Sequence, residues 1–142
     1  MKQVRKTASE IVGDIYNMLR ESSLKASISG DVYRQGLRPK NSRKEDIIVI
    51  FTSGQMGLIQ NGLVTILIHV PNIALKGAGN SVINGQRCED LEKEAQAVVD
   101  SWTTAKSDYK FSLRDTISTM ASQDTDEAIV VVRLNYQYRA FR

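Results

Sequence analysis

Residues 61–71, NGLVTILIHVP, constrain this chain more than any other stretch. Val64, Ile66, Ile68 and Val70 alternate onto one side, the period of a β-strand. The other side holds Leu63, Thr65, Leu67 and His69, so both sides are largely apolar. A strand of that kind has to be covered on both faces, within the domain or in an assembly, and is expected at the centre of a sheet. Asn61-Gly62 is a turn signal before it. Pro71, which lacks an amide donor, ends the pairing.

The partners for that strand lie on both sides of it in the sequence. Residues 46–51 form an apolar run, and residues 28–34 are expected as a shorter strand before it. The last third reads as a hairpin. Phe111, Leu113, Ile117 and Thr119 supply a weakly alternating strand, and Gln123-Asp124-Thr125-Asp126 is the turn. The closing strand sets Val130, Val132, Leu134, Tyr136 and Tyr138 against Arg133, Asn135, Gln137 and Arg139. A one-residue slip would bury those polar side chains, so its register is well specified.

Two stretches carry helical spacing instead. Val4, Ala8, Ile11, Ile15 and Met18 or Leu19 make one stripe over residues 4–22, with Gly13 weakening the helix by ~1 kcal/mol. Leu91, Ala95, Val98 and Trp102 make another over Cys88 to Ala105, widened by Val99. Acidic residues gather near its amino end, where the helix dipole favours them. Residues 72–86, with three glycines, read as an exposed, mobile connection; a phosphate loop is disfavoured because no GxGxxG or lysine-serine ending is present. The expected order is α-β-β-β-α-β-β. That order predicts a two-layer α+β domain over residues 1–142, a mainly antiparallel sheet of four to five strands with two helices on one face.

Composition narrows the function classes. At 142 residues, 42% hydrophobic and 25% charged, the chain has the makeup of one globular domain rather than a disordered one. Its 19 Lys and Arg against 16 Asp and Glu give +3, too little to make the whole surface a nucleic-acid binder. The amino end lacks the apolar core of a signal peptide, and the run near Leu63–Val70 is far short of a membrane span. A soluble, cytoplasmic chain with no membrane partner is expected.

Candidates for chemistry are few. His69 is the only histidine and has no marked nucleophile beside it, so a half-buried structural or interface role is expected. Cys88 is the only cysteine, which excludes an intramolecular disulfide; the acidic residues after it would raise its pKa. Glu45-Asp46 and Asp124-Asp126-Glu127 would form a carboxylate site only if strands brought the two groups together. Trp102, Tyr136 and Tyr138 sit on core faces rather than on a base-stacking platform, while Tyr33 adjoins the basic loop. No catalytic, metal-binding or cofactor-binding set is expected, and the chain reads as a non-enzyme.

The unusual surface feature is a loop with five cations, Arg34, Arg38, Lys40, Arg43 and Lys44, in eleven residues. It has three readings: a solvated turn, a phosphate contact, or docking on an acidic surface of another copy. Glu89, Glu92 and Glu94 offer such a surface, and interface use is preferred. The alternative is a small nucleic-acid-binding module using the 34–44 loop.

Local patterns across most of the chain resemble the tail-completion, or tail-terminator, proteins of long-tailed bacteriophages. They are a leading amphipathic helix, GDVYR at 30–34, LRP at 37–39, EDIIVIF at 45–51, NGLVTILIHVP, LEKEAQAVVDSW at 91–102 and AIVVVRLNYQY at 128–138. The glycine-rich 76–85 segment departs from the pattern. The resemblance implies a small α+β structural subunit forming a ring, commonly a hexamer. Such a ring caps the tail tube protein, stops its polymerisation and presents a surface to the head-connector protein. It implies a place at the head–tail junction of the virion, after assembly in the host cytoplasm. Opposite charge at 34–44 and 89–100 would suit head-to-tail contacts in such a ring.

Overall fold

The structure, a computed structural model, describes residues 2–74, 81–122 and 124–141. Its framework is one long antiparallel ladder. Strands β3 (Asp46–Gln55) and β4 (Gln60–Pro71) form a hairpin, and β4 pairs along its whole length with β9 (Glu127–Tyr138). The outer edge of β9 is shared by β7 (Tyr109–Leu113) and β8 (Ser118–Ala121). On the far side, β2 (Val32–Arg34) runs parallel to β3, with Val32 opposite Ile47. The sheet therefore has six strands, ordered β2-β3-β4-β9-β7 with β8 also on β9. Two small two-stranded pairs flank it: β1 (Gln3–Val4) with β10 (Ala140–Phe141), and β5 (Ile73–Ala74) with β6 (Ser81–Val82).

The helices are α1 (Ala8–Arg20), α2 (Ser23–Ser27) and α3 (Gly85–Thr104). All three pack on one face of the sheet. Leu19 of α1, Leu24 of α2 and Ala95, Val98 and Trp102 of α3 close on Ile66 of β4 and Val132 of β9. The chain is thus a two-layer α+β domain, with Ile11, Ile15, Leu91, Val64, Ile68 and Leu134 fully buried at its centre. Among the described residues, no helix is long and apolar enough to cross a membrane.

Four local differences from the sequence expectation have physical causes. The first helix starts at Ala8, because Thr7 and Glu10 form a reciprocal capping box; Val4 joins β1 instead. The strand expected over 28–34 shrinks to Val32–Arg34, because the Ser29 and Asp31 amides donate to the Glu45 and Asp46 side chains instead of to a ladder; an extra helix, α2, capped by Ser22, precedes it. The weak strand of the last third splits. Arg114 donates to the carbonyl of Arg133, the chain leaves the ladder, and Ile117 turns into the core before β8 resumes. That split supplies the sixth strand, and α2 supplies the third helix. The second expected helix begins at Gly85, three residues early, capped by the Asn84 side chain. Residues 75–80 of the expected mobile connection and Gln123 of the expected turn lie outside the described residues.

Two tyrosines on neighbouring strands give a direct test of the packing. The Tyr136 hydroxyl is buried under Gly54 and Gly62 with no hydrogen-bond partner among the described residues. The Tyr109 hydroxyl donates to Asp14 Oδ2. Burial, then the neighbouring Asp14 carboxylate, pushes the Tyr109 hydroxyl strongly up, so it keeps its proton and remains a donor. We predict that Tyr136→Phe leaves stability unchanged or slightly raised, since it removes an unpaired buried hydroxyl. Tyr109→Phe should cost about 1 kcal/mol. Urea unfolding of the two variants measures the contrast, and equal losses would contradict it.

Candidate functional site

The basic loop folds its central arginine inward. The loop leaves β2 through Gly36, whose φ of 83° lies in the left-handed region, and Leu37 donates back to the Arg34 carbonyl. Arg38 then lies over one end of the sheet, on the face away from the helices. Its Nε donates to Asp46 Oδ2 at 2.9 Å. Its two terminal nitrogens grip Glu127, Nη2 to Oε2 at 3.1 Å and Nη1 to Oε1 at 3.2 Å. This forked, two-point geometry is the one a guanidinium makes best with a carboxylate.

Three different strands supply the acceptors. Asp46 opens β3, His69 stands opposite it near the end of β4, and Glu127 opens β9. His69 Nδ1 is 2.8 Å from Glu127 Oε1 and 3.0 Å from Arg38 Nη1. Arginine can only donate and an ionised carboxylate only accept, so the ring nitrogen serves one of them at a time, according to its tautomer. The set is closely satisfied. Asp46 also accepts from the Asp31 amide and the Ser42 hydroxyl, and Glu127 from the Thr125 hydroxyl.

Burial and hydrogen bonding oppose each other at this cluster, and hydrogen bonding wins. Asp46 is 1% exposed and Glu127 8%. Burial alone would push both carboxyls up. For Asp46 it is outweighed by the Ser42 and Arg38 hydrogen bonds, which hold it below the usual range. For Glu127, Arg38 and His69 do the same. Arg38 is itself held up by the two carboxylates despite burial. Asp46 also explains a glycine: a Cβ on Gly30 would lie 1.9 Å from its Oδ1.

Beside this cluster runs a polar cleft of about 650 Å³. One wall is Lys40, Asn41, Ser42 and Arg43; the other is Pro71, Asn72 and residues 124–127. Lys40, Arg43 and Lys44 are exposed and have no described carboxylate within ion-pair distance. Arg34 points elsewhere. Its guanidinium lies 5.4 Å from the centre of the Tyr16 ring and presses on Gly13, where a Cβ would approach it to 2.7 Å. The helix-weakening Gly13 is thus the seat of an arginine.

The acidic helix is also partly committed within the chain. Glu92 accepts from the Thr119 hydroxyl and Glu94 from the Ser27 hydroxyl, while exposed Glu89 pairs with Lys93 one turn on. The basic residue of that helix start, Arg87, holds Glu45 with two bonds of 2.7 and 2.9 Å. Cys88 is buried, and burial, then Glu92, pushes its thiol up. The structure therefore brings together Arg38, Asp46, His69 and Glu127, and keeps Arg34, Lys40, Arg43 and Lys44 apart from Glu89, Glu92 and Glu94 in one copy.

The convergence of the two carboxylate groups required knowing that β4 pairs with β9 as well as β3. The occurrence of Asp46 and Glu127 at strand starts and His69 at a strand end was the available signal. No protein-family model matches the chain, and no curated protein matches it in sequence.

Replacing Arg38 by alanine leaves two buried carboxylates without their cation, which should cost about 3–5 kcal/mol. The folded pKa values of Asp46 and Glu127 are lowered, so their stabilisation is present above the unfolded value near ~4 and is lost as pH falls through the folded ones. The gap between wild type and Arg38→Ala should thus narrow in acid. Unfolding curves at pH 7 and pH 3 measure it, and a gap that stays constant would refute the assignment.

Proposed function

We propose that this chain is a structural subunit that works by self-assembly, forming a ring that closes a phage tail tube at the head–tail junction. The observation that carries the reading is the second face of the main sheet. Ile48 and Ile50 of β3, Leu67 of β4, and Ile129 and Val131 of β9 project from it, partly buried and contiguous. Tyr33, opposite Ile48, extends the surface at one edge, and Met120, opposite Ile129 and 56% exposed, at the other. Contiguous apolar surface of this kind is uncommon on a protein that works alone.

Two further features support a contact protein over an enzyme. His69 is held by Glu127 and Arg38, and Cys88 is buried with its thiol pushed up. The strand–loop–strand from Gly30 to Phe51, the LRP turn and the closing strand carry the tail-completion resemblance. On this reading the partners are further copies of the chain, the tail tube protein and the head-connector protein. In the two oppositely charged segments, Lys40, Arg43 and Lys44 of the loop and Glu89 of the helix face outward, while Arg34 is turned onto Tyr16. Arg38 serves the interior of its own subunit.

A second reading keeps one specific observation: exposed Lys40 and Arg43 line a cleft, and exposed Lys44 follows them in the chain. They would serve a nucleic-acid contact as phosphate neutralisers.

We expect discrete rings by negative-stain electron microscopy, either of the concentrated protein or on tail tubes, and the chain in purified particles. A protein that stays monomeric in every condition and is missing from particles overturns the ring. For the second reading, salt-sensitive binding to duplex DNA that disappears in the Lys40, Arg43 and Lys44 triple alanine variant would replace it.

A further inference from the structure

Among the described residues, the turn between β3 and β4 is the most exposed apolar element. Leu58 is 94% exposed and Met56 57%. Residues 52–61, TSGQMGLIQN, contain no charged side chain, although a quarter of the chain is charged. Protruding hairpins on proteins that remain single are normally guarded by charges, lysine above all. This one is unguarded.

The turn is also presented on a firm base. Gln60 accepts from the Lys6 amide at 3.0 Å and donates to the Lys6 carbonyl at 2.6 Å, tying the start of β4 to the segment before α1. Gly54 and Gly62 face each other across the hairpin, and the Tyr136 hydroxyl fills the space where their side chains would be.

Further back on the same strand lies a groove of about 640 Å³. Ala8, Ser9 and Val12 of α1 form one wall, Gln35 and Leu37 the other, with Phe51 of β3 between them. Leu37 stands on its rim, 66% exposed. Beside it the outer edge of β3 has no strand partner among the described residues, since β2 pairs only as far as Val49. The groove's one charged residue, Arg34, is turned onto Tyr16.

Tip and groove cannot meet within one copy. Phe51 and Gln55 belong to the same strand, and at ~3.3 Å per residue four steps carry the tip roughly 13 Å from the groove. The β4 ladder holds that separation. We propose that the Met56–Leu58 tip of one copy docks in the Ala8–Val12–Leu37–Phe51 groove of a second copy of this chain. The tip carries no charged side chain, the groove walls at Ala8, Val12, Leu37 and Phe51 are apolar, and its one cation, Arg34, is turned onto Tyr16. Because they are different patches, each docking leaves a tip and a groove open at the two ends, which is the arrangement that builds a ring or a filament. The inference rests on the self-assembly reading and names its contact.

The test uses two single-cysteine additions at exposed positions, Leu58→Cys and Leu37→Cys, with native Cys88 buried. Under mild oxidation the mixture of the two proteins should give disulfide-linked pairs that neither gives alone. Leu58→Asp should weaken self-association roughly ten- to a hundredfold in sedimentation, the loss expected from one buried leucine. Circular dichroism checks that each variant is folded. The proposal fails if the mixture links no better than its components, if Leu58→Cys links to itself, or if Leu58→Asp assembles like wild type. If wild type still forms rings in those cases, only this contact falls. If wild type never associates, the assembly reading falls with it. Flotation of monomeric wild type with phosphatidylcholine vesicles, lost in Leu58→Asp, would assign the tip to lipid and also overturn the proposal.

Discussion

The pairing of β4 with β9 is the constraint on which the rest of the structure depends. It runs without a break from Gln60 opposite Tyr138 to Pro71 opposite Glu127, joining segments far apart in the chain. Its register decides which side chains meet the helices: Ile66, Ile68, Val130 and Val132 go inward, and Leu67, His69, Ile129 and Val131 go outward. The period of two leaves no intermediate arrangement. Closing so long a loop carries an entropic cost that is recovered only when both strands are covered, and the one helix layer covers only one side. The other side is the apolar surface that the assembly reading explains.

That same ladder creates the chain's main electrostatic device. By aligning the ends of three strands it sets Asp46, His69 and Glu127 side by side, where ionised carboxylates would repel one another and lose hydration. Arg38 makes the arrangement tolerable by bonding both acids at once. A pair of buried acids needs a rigid, forked cation, which lysine does not provide. The consequence for function is a redistribution of charge: the central cation of a basic loop becomes internal, and the loop is anchored across three strands. What it presents outward is Lys40, Arg43 and Lys44 on a fixed base.

Much of the fold was legible because it depends on local period. The strands at 46–51, 61–71 and 130–138 and the helix holding Leu91, Ala95, Val98 and Trp102 are read directly from alternation or from three- and four-residue steps. Val4 was misplaced because it fits the helical stripe by spacing, while the Thr7–Glu10 capping box decides where the helix begins. The split between β7 and β8 left no trace in the pattern, since Phe111, Leu113 and Ile117 all face inward or partly so despite the break. Gly13 looked like a weak point in its helix, and it proved to make room for the Arg34 guanidinium, as Gly30 does for the Asp46 carboxylate.

The sequence by itself determined the α+β class, the central place of residues 61–71 and the core faces of the main helices, because each follows from spacing along a few adjacent residues. It also determined that the charges would concentrate in the 34–44 loop. Tertiary structure alone decided where those charges point. Arg38 went inward because Asp46 and Glu127, 81 residues apart in the chain, arrive at the same sheet end. Whether a cation faces a partner or its own fold depends on which acids lie within about 3 Å, and such distances are set by strand pairing, which no local pattern records.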